Sequence, residues 1–286
     1  MKSRVKKDKT LRLWGMVLGL IKIVGLIGIM LFMVLPFLWI FSTSFRLPKE
    51  SFTLPPAFFP SAFNYSNYVE VFKLIPLKTY LFNSVIVTVT ATVLQCAISS
   101  SAAFAFARLK FKGKNVLLLV ILSGMMIPVQ TTVVPLYMLL GKLGLVDTRT
   151  SIILPLLISP LGIFIIKQYM QSIPRSYDEA AIIDGSSNFQ VFTKIVLPMA
   201  KPAVVVVAML TFVSSWNDFF RPLIFITSSN KMTLPVGMTV LNSLSRTSSI
   251  SVILAGVVVS SLPLVFVFLM GQKYLIQGIS MSGVKG

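Results

Sequence analysis

Ser176-Tyr177-Asp178-Glu179-Ala180-Ala181-Ile182-Ile183-Asp184-Gly185 lies within 171–201, a segment patterned like folded structure in a chain made largely of apolar runs and short connections. Ser176 followed three residues later by Glu179 has capping-box spacing. It predicts a helix start at which the hydroxyl accepts from one orphan N–H and the carboxylate reaches back to another. Ala180 to Ile183 continue the turn. Asp184-Gly185 predicts its end, because glycine enters the left-handed C′ conformation without a Cβ clash. A second short helix is expected from Asn188 to Val196, after which Pro198 and Pro202 interrupt the chain.

On either side of this segment, uncharged runs extend from Ile23 to Phe45, Thr79 to Ala107, Asn115 to Gly141, Thr150 to Ile166, Pro202 to Asn217 and Thr247 to Gln272. A helix rising 1.5 Å per residue needs about 20 residues to cross about 30 Å of hydrocarbon. Six transmembrane helices are therefore predicted. The fourth reaches full length if Lys167 snorkels, and the fifth if it carries Asp218 and Arg221 inside it. Composition agrees: 55% of residues are hydrophobic and 12% charged, against about 25% charged in a soluble domain. The fold class read from these runs is an all-α membrane protein. The first run is too long for a secretory h-region and no small-x-small cleavage site follows it, so it is expected to be retained.

Among 286 residues there are 26 Lys+Arg, 8 Asp+Glu, no His and a lone Cys96, for a formal charge of +18. A histidine triad, an imidazole metal site and an internal disulfide are thereby excluded, while carboxylate sites stay open. The positive charges are distributed unevenly. The N-terminal Lys2, Arg4, Lys6, Lys7, Lys9 and Arg12, the loop Arg108, Lys110, Lys112 and Lys114, and Lys167, Arg175, Lys194, Lys201, Lys273 and Lys285 fall on one side of the six spans. Only Arg46, Lys49, Lys73, Lys78, Lys142, Arg149, Lys231 and Arg246 fall on the other. Short cytoplasmic segments carry the excess, so both termini are expected in the cytoplasm. Most of the charge is then topogenic, and no nucleic-acid partner is expected.

The opposite loop from Arg46 to Lys78 holds Pro48, Pro55, Pro56, Pro60 and Pro76 among Phe58, Phe59, Phe63, Tyr65 and Tyr68. It is expected to be irregular, with its aromatics at the bilayer edge. The short helix at Asp178 to Asp184, by contrast, lies on the cytoplasmic side with Asp178, Glu179 and Asp184 on it. An anionic leaflet would repel these carboxylates, so a groove in a protein partner suits the helix better than lipid headgroups.

Polar residues at membrane depth mark a pathway or a helix contact. Span five has Ser214, Ser215, Trp216, Asn217, Asp218 and Arg221. Asp218 and Arg221, three apart, either neutralise one another or face a solute. Asn217 and Trp216 suit a sugar, the amide satisfying hydroxyls and the indole stacking on a pyranose face, yet an asparagine between helices also serves as interhelical glue. Gln130, Thr131 and Thr132 with Pro128 and Pro135 in span three, and Pro155, Ser159 and Pro160 in span four, predict helices bent around a cavity. Ser99 to Ser101 with Ala102, Ala103, Ala105 and Ala107 form a small-residue face for close packing. The candidate pathway set is Trp216, Asn217, Asp218, Phe219, Arg221 and Gln130.

Glu179-Ala180-Ala181, three residues, Gly185, nine residues, Ile195, one residue, Leu197-Pro198 resembles, position for position, the EAA loop of ABC-importer membrane subunits. Ser215 to Leu223, Ala103-Phe104-Ala105-Phe106-Ala107-Arg108, Met126-Ile127-Pro128 and the terminal Gly283-Val284-Lys285-Gly286 narrow the resemblance to carbohydrate-uptake permeases related to the second maltose-transporter subunit. The similarity runs over essentially the whole chain and is firmest from about Tyr80 onward.

The resemblance implies a type I importer permease fold with a cytoplasmic basic N-terminus (1–13), a first helix and outer loop (14–79), a permease core (80–276, with the EAA loop at 171–202) and a cytoplasmic tail (277–286). It also implies a coupling helix, with Asp178, Glu179, Ala180, Ala181, Asp184, Gly185, Ile195, Leu197 and Pro198 serving contact with an ATPase. The implied partners are a second homologous permease, two ATPase subunits and an extracytoplasmic sugar-binding protein, in a bacterial inner membrane. No G-x-x-x-x-G-K-[ST] loop occurs in the sequence, so ATP and Mg are expected on a partner chain, and no bond of the substrate is made or broken here. A permease for a non-sugar solute fits the EAA loop equally. A stand-alone secondary transporter would show internal repeats and an intramembrane ion relay; no repeat is seen, and Asp218 is the one acidic residue in a span.

Overall fold

The computed structural model describes residues 2–47, 50, 58–244 and 249–283. Pro48, Lys49, Pro55, Pro56, Arg246, Thr247 and the terminal Val284-Lys285-Gly286 used above lie outside these residues, as do the side chains of the basic N-terminus. Fourteen α-helices follow one another, and there is no strand among the described residues. They are α1 (Lys2–Ser44), α2 (Ser66–Leu74), α3 (Leu77–Arg108), α4 (Lys114–Ser123), α5 (Val129–Lys142), α6 (Arg149–Ile153), α7 (Pro160–Ser172), α8 (Ser176–Ile183), α9 (Asn188–Gln190), α10 (Leu197–Met199), α11 (Lys201–Trp216), α12 (Phe220–Phe225), α13 (Leu234–Leu244) and α14 (Ile250–Gly283).

Among the described residues, three continuous helices are long and apolar enough to cross a membrane: Trp14–Ser44 of α1, all of α3, and Ile250–Tyr274 of α14. Three bent pairs are long and apolar enough when taken together: Lys114–Met126 with Val129–Lys142 at 103°, Arg149–Leu156 with Pro160–Ser172 at 41°, and Asn188–Met199 with Lys201–Trp216 at 76°. Counting each pair as one span gives up to six. The predicted third and fourth runs are thus broken helices, and proline chemistry accounts for both breaks; the third bend falls at Ala200, before the predicted fifth run, which lies on α11. Ile127, placed before Pro128, is driven to extended backbone (φ −90, ψ 115) because the proline ring disfavours the α region for its predecessor. Ser159, before Pro160, is likewise extended, and its hydroxyl accepts from the Gly162 N–H to start α7.

The fifth run ends earlier than expected. Asn217 caps α11, with its side-chain amide donating to the Val213 carbonyl at 2.9 Å. Asp218 and Phe219 form a break, and Arg221 belongs to the separate helix α12. A side-chain amide bonded back into its own last turn satisfies a C-terminal carbonyl and stops the helix there.

The chain divides into two compact units. The first comprises Met1–Val71 with Ser245–Val258. From Trp14 to Phe41 its long helix buries almost nothing: Phe32 is 80% and Phe37 71% exposed. An apolar surface of this extent suits hydrocarbon. Past its end, Asn67 donates to the carbonyls of Ser44 and Arg46, each at 2.8 Å, and Ser44 Oγ lies 2.7 Å from Tyr68 Oη. Phe45 sits among Phe41, Phe63, Tyr65 and Tyr68 with ring centroids 5.1–5.7 Å away. Phe63, Tyr65 and Tyr68 of the loop thus pack around Phe45, edge to face for the most part, while Phe59, Phe63 and Tyr65 stay exposed.

The second unit, Phe72–Leu244 with Val259–Gly286, is organised around α3. Ala103, Phe104 and Ala107 on α3, Ile166 and Met170 on α7 and Ala203 and Val207 on α11 form one buried cluster. Near the middle of α3 the contact is polar. Gln95, fully buried, accepts from Thr211 Oγ1 at 2.5 Å and donates to Ser99 Oγ at 3.3 Å. Gly162 of α7 crosses at this level, where a Cβ would stand 2.6 Å from Gln95 Nε2.

Toward the first turns of α3, Asn83 joins three elements. Its Nδ2 donates to the Asn230 and Met232 carbonyls, each at 2.9 Å, and its Oδ1 accepts from Arg149 Nε at 3.0 Å and Nη2 at 2.8 Å. Nearby, Asp147 takes a left-handed backbone (φ 59) and accepts from Ser228 Oγ, the N–H groups of Thr227 and Ser228, and Lys231 Nζ. The Ser228 hydroxyl above all holds its carboxyl well below the usual carboxylate range.

Candidate coupling segment and transport pathway

The segment 171–201 folds as a helical hairpin whose ends are set by local chemistry. Its first helix, α8, has Arg175 at the N-cap, with no side-chain cap bond. The Asp178 and Glu179 N–H groups both reach the Arg175 carbonyl, at 2.9 and 3.0 Å, so Ser176 is already inside the first turn and the expected capping box with Glu179 does not form. A capping box exists eleven residues later. Gln190 N–H donates to Ser187 Oγ at 3.3 Å and Ser187 N–H to Gln190 Oε1 at 2.8 Å, opening the second helical stretch. The sequence reading looked for Glu at the third position, and the same signature with Gln was in plain view.

Gly185 takes φ +83. Its N–H bonds the Ile182 carbonyl at 3.0 Å and the Ser186 N–H bonds the Ala181 carbonyl at 2.9 Å, a full Schellman motif. The second stretch starts at Asn188 as expected but runs on to Met199, with a π-helical turn over Val191–Val196.

Exposure sorts the EAA-loop positions into two groups. Ala181 is buried, and Ile195 packs against the same cluster, beside Val191 and Val196. Glu179, Ala180, Asp184, Gly185 and Pro198 are exposed, and Leu197 is half-buried. Ile182, Ile183 and Phe189 add an apolar tip, at 54%, 85% and 72% exposure. Asp178 faces inward: its Oδ2 lies 2.9 Å from Arg108 Nε at the end of α3. Burial pushes this carboxyl up, against the opposing pull of Arg108.

The pathway candidates do not share one surface. Trp216 is 2% exposed, its indole stacked on Phe212 at 5.8 Å and its Nε1 donating to the Ser260 carbonyl at 3.1 Å. No face of the ring is left for a sugar, because an indole with a buried N–H partner is most stable packed between helices. Trp216→Phe is expected to keep the stack, lose one bond worth about 0.5–1.5 kcal/mol of stability and leave the KM for transport as it was. A rise of about tenfold in that KM would return the indole to the pathway.

Asp218 and Arg221 pair at 2.9 Å, and Asp218 Oδ1 also accepts the Arg221 N–H at the start of α12. Of the two readings left open for them, the structure adopts self-neutralisation. Asn217, Phe219 and Gln130 are exposed, the last beside the 103° break of the third crossing. Gln95, Asn83 and Gly162 were missed as organising residues, since only their partners far along the chain give them meaning.

The profile of binding-protein-dependent transport system inner membrane components matches residues 95–281. The arabinooligosaccharide transport permease AraQ of Halalkalibacterium halodurans is 34% identical over 268 residues, 92% of this chain and 95% of that protein. The trehalose/maltose transport permease MalG of Thermococcus litoralis is 31% identical over 92% of this chain and 96% of its own. A chain from the crystal structure of a bacterial ABC transporter that imports the acidic polysaccharide alginate superposes with a TM-score of 0.78 at 26% identity, covering 90% of this chain and 96% of that one. The chain belongs to the family of binding-protein-dependent transport system inner membrane components. It is a transport permease subunit of the ABC importer type, built of helices that cross the inner membrane.

Proposed function

We propose that this chain forms half of the translocation pathway of an ATP-driven importer for an oligosaccharide, and that the hairpin α8–α10 docks into a separate ATPase. The relatives support the cargo, since arabinooligosaccharide, trehalose/maltose and alginate systems share this chain's length and fold. The observation that carries the docking reading is the hairpin itself: a rigid turn, capped at Ser187 and closed at Gly185, that holds Ile182, Ile183 and Phe189 out to solvent. Apolar side chains fixed on a capped turn make sense when a protein groove covers them.

In this reading two ATPase chains bind ATP and Mg, a homologous permease completes the pathway, and an extracytoplasmic binding protein delivers the sugar. The basic segments and both termini face the cytoplasm, in accord with the charge asymmetry. Asn217, Phe219 and Gln130 are the members of the pathway set free to meet the solute. An importer of the same design for a non-sugar solute is the second reading.

Co-purification from native membranes in mild detergent, followed by ATP hydrolysis with loaded binding protein, tests the whole. An ATPase and a second permease should be recovered and a sugar should stimulate turnover; recovery of this chain alone would sink the proposal. In this chain alone, the Glu179 side chain has no hydrogen bond or ion pair among the described residues. Glu179→Lys is therefore expected to fold normally and to lose stimulated hydrolysis at least about tenfold, as reversal of a charge at an interface does. Gly185→Val forces a β-branched residue to φ +83 and should reorient the tip at a cost of about 1–2 kcal/mol, with a similar loss of stimulation. Wild-type stimulation in both variants would place the docking surface elsewhere.

A further inference from the structure

Arg108, the last residue of α3, has a side chain only 5% exposed, and that of its partner Asp178 is 13% exposed. Its Nε lies 2.9 Å from Asp178 Oδ2, and its Nη2 donates to the Ile173 carbonyl at 3.0 Å. Ile173 is the C-cap of α7 and Asp178 stands in the first turn of α8. One guanidinium thus bridges the ends of two spanning helices to the start of the docking helix. Both contacts also match the helix dipoles, a cation at the C-terminus of α7 and a carboxylate at the N-terminus of α8.

What holds α8 in place is otherwise slight. Of its eight residues only Ala181 is buried and only Asp178 is half-buried; the other six are exposed. An eight-residue helix has no stability of its own in water, and the single methyl of Ala181 fixes position without fixing tilt. A cavity of about 130 Å³ lies alongside, lined by Phe104, Arg108, Asp178, Ile182, Asn188 and Val191.

We propose that Arg108 is a positioning residue for energy coupling: through its paired contacts to Asp178 and Ile173 it locks the tilt of α8 to α3 and α7, so that displacement of the docking helix moves the spans. The proposal rests on the docking role of α8–α10 given above. A lysine, with one compact ammonium and no fixed fork, does not reproduce both contacts from one side chain. Because the pair is largely out of water, removing one member strands the other charge, whereas exchanging the two restores the attraction.

The test is a double-mutant cycle on the assembled importer in lipid nanodiscs, reading the ratio of hydrolysis stimulated by loaded binding protein to basal hydrolysis. Arg108→Ala and Asp178→Ala, and likewise the charge-reversing Arg108→Asp and Asp178→Arg, should each lower the ratio about tenfold or more, as expected when a buried charge is stranded, while Arg108→Asp combined with Asp178→Arg should recover it to within about threefold of wild type, showing a coupling between the sites. A wild-type ratio in Arg108→Ala, or single-variant losses that multiply in the exchange, would overturn the proposal. If neither alanine variant can be recovered in the membrane, the exchange decides alone: a stimulated complex supports the lock, and an unstimulated or absent one refutes it. Failure of the underlying docking role reads differently, as a wild-type chain from which no ATPase is recovered.

Discussion

Asn83→Leu is expected to destabilise the second unit strongly, seen as a much reduced monodisperse peak when the detergent-extracted chain is run on a sizing column. Leucine keeps the branched four-heavy-atom skeleton of asparagine with bulkier methyl ends, so the effect combines lost polarity with some crowding. The native amide is fully buried and spends both ends, giving two bonds to the Asn230 and Met232 carbonyls and accepting two from Arg149. Its removal leaves two carbonyls and a guanidinium without their buried partner, at positions where Asn230 is exposed and Met232 and Arg149 are half-buried, so water replaces part of what is lost. At about 0.5–1.5 kcal/mol for each neutral bond and about 1.5–3 kcal/mol for each bond to the charged guanidinium, the loss is at most roughly 4–9 kcal/mol, a large part of the total stability of about 5–15 kcal/mol of an ordinary domain. Asn83→Asp should fall between: it keeps an oxygen for Arg149, now as an ion pair, and loses both donations. A melting temperature for Asn83→Leu within a few degrees of wild type would show that the loops rearrange freely, and that the bridge from α3 to α6 and to the turn before α13 is incidental.

The same residues show what the sequence discloses and what it withholds. Gly185 was legible because its reason is local: a helix ends, a left-handed residue is needed, and glycine is two places past Ile183. The breaks at Pro128 and Pro160 were legible in kind, since a proline restricts its predecessor whatever surrounds it, but their angles of 103° and 41° depend on what the half-helices pack against. Ser176 misled because a capping box can be displaced by one residue without changing its letters; Arg175 takes the N-cap here while Asp178 is drawn inward by Arg108. Arg149 and Arg108 were counted as topology signals, and each also has a part-buried bonding role supplied by a residue more than sixty positions away. Trp216 and Asn217 were chosen as sugar ligands on side-chain chemistry alone; the buried indole of Trp216 bonds Ser260, while Asn217 bonds Val213 through its amide nitrogen and remains exposed.

Gly162→Leu is expected to be severely damaging within the membrane-spanning core, because it drives apart the three helices that the docking hairpin must move together. A Cβ at this position would lie 2.6 Å from Gln95 Nε2, 3.1 Å from Ser99 Oγ and 3.1 Å from Val207 Cγ1, so α3 and α11 both press on α7 here. Gln95 cannot yield cheaply: it is fully buried and held by Thr211 at 2.5 Å. Extra methylenes forced into a packed site cost about 1–3 kcal/mol, and leucine adds several atoms while also breaking the Gln95 bonds. Chain recovered from membranes should fall to near background. Gly162→Ala offers a graded version, with one methyl set against one amide. Combining it with Gln95→Ala vacates the space the methyl needs, and the freed Thr211 hydroxyl retains a fallback on its own helix backbone. The pair should therefore cost less than the sum of its singles, with an interaction energy of about 0.5–3 kcal/mol in thermal unfolding of the purified chain. If the singles simply add, Gly162 and Gln95 are not in the contact described, and the crossing of α3, α7 and α11 is held by the apolar cluster nearer Arg108. If they interact, stimulated hydrolysis should recover together with stability, because the same crossing carries motion from the end of α7 at Ile173 into α3 and α11.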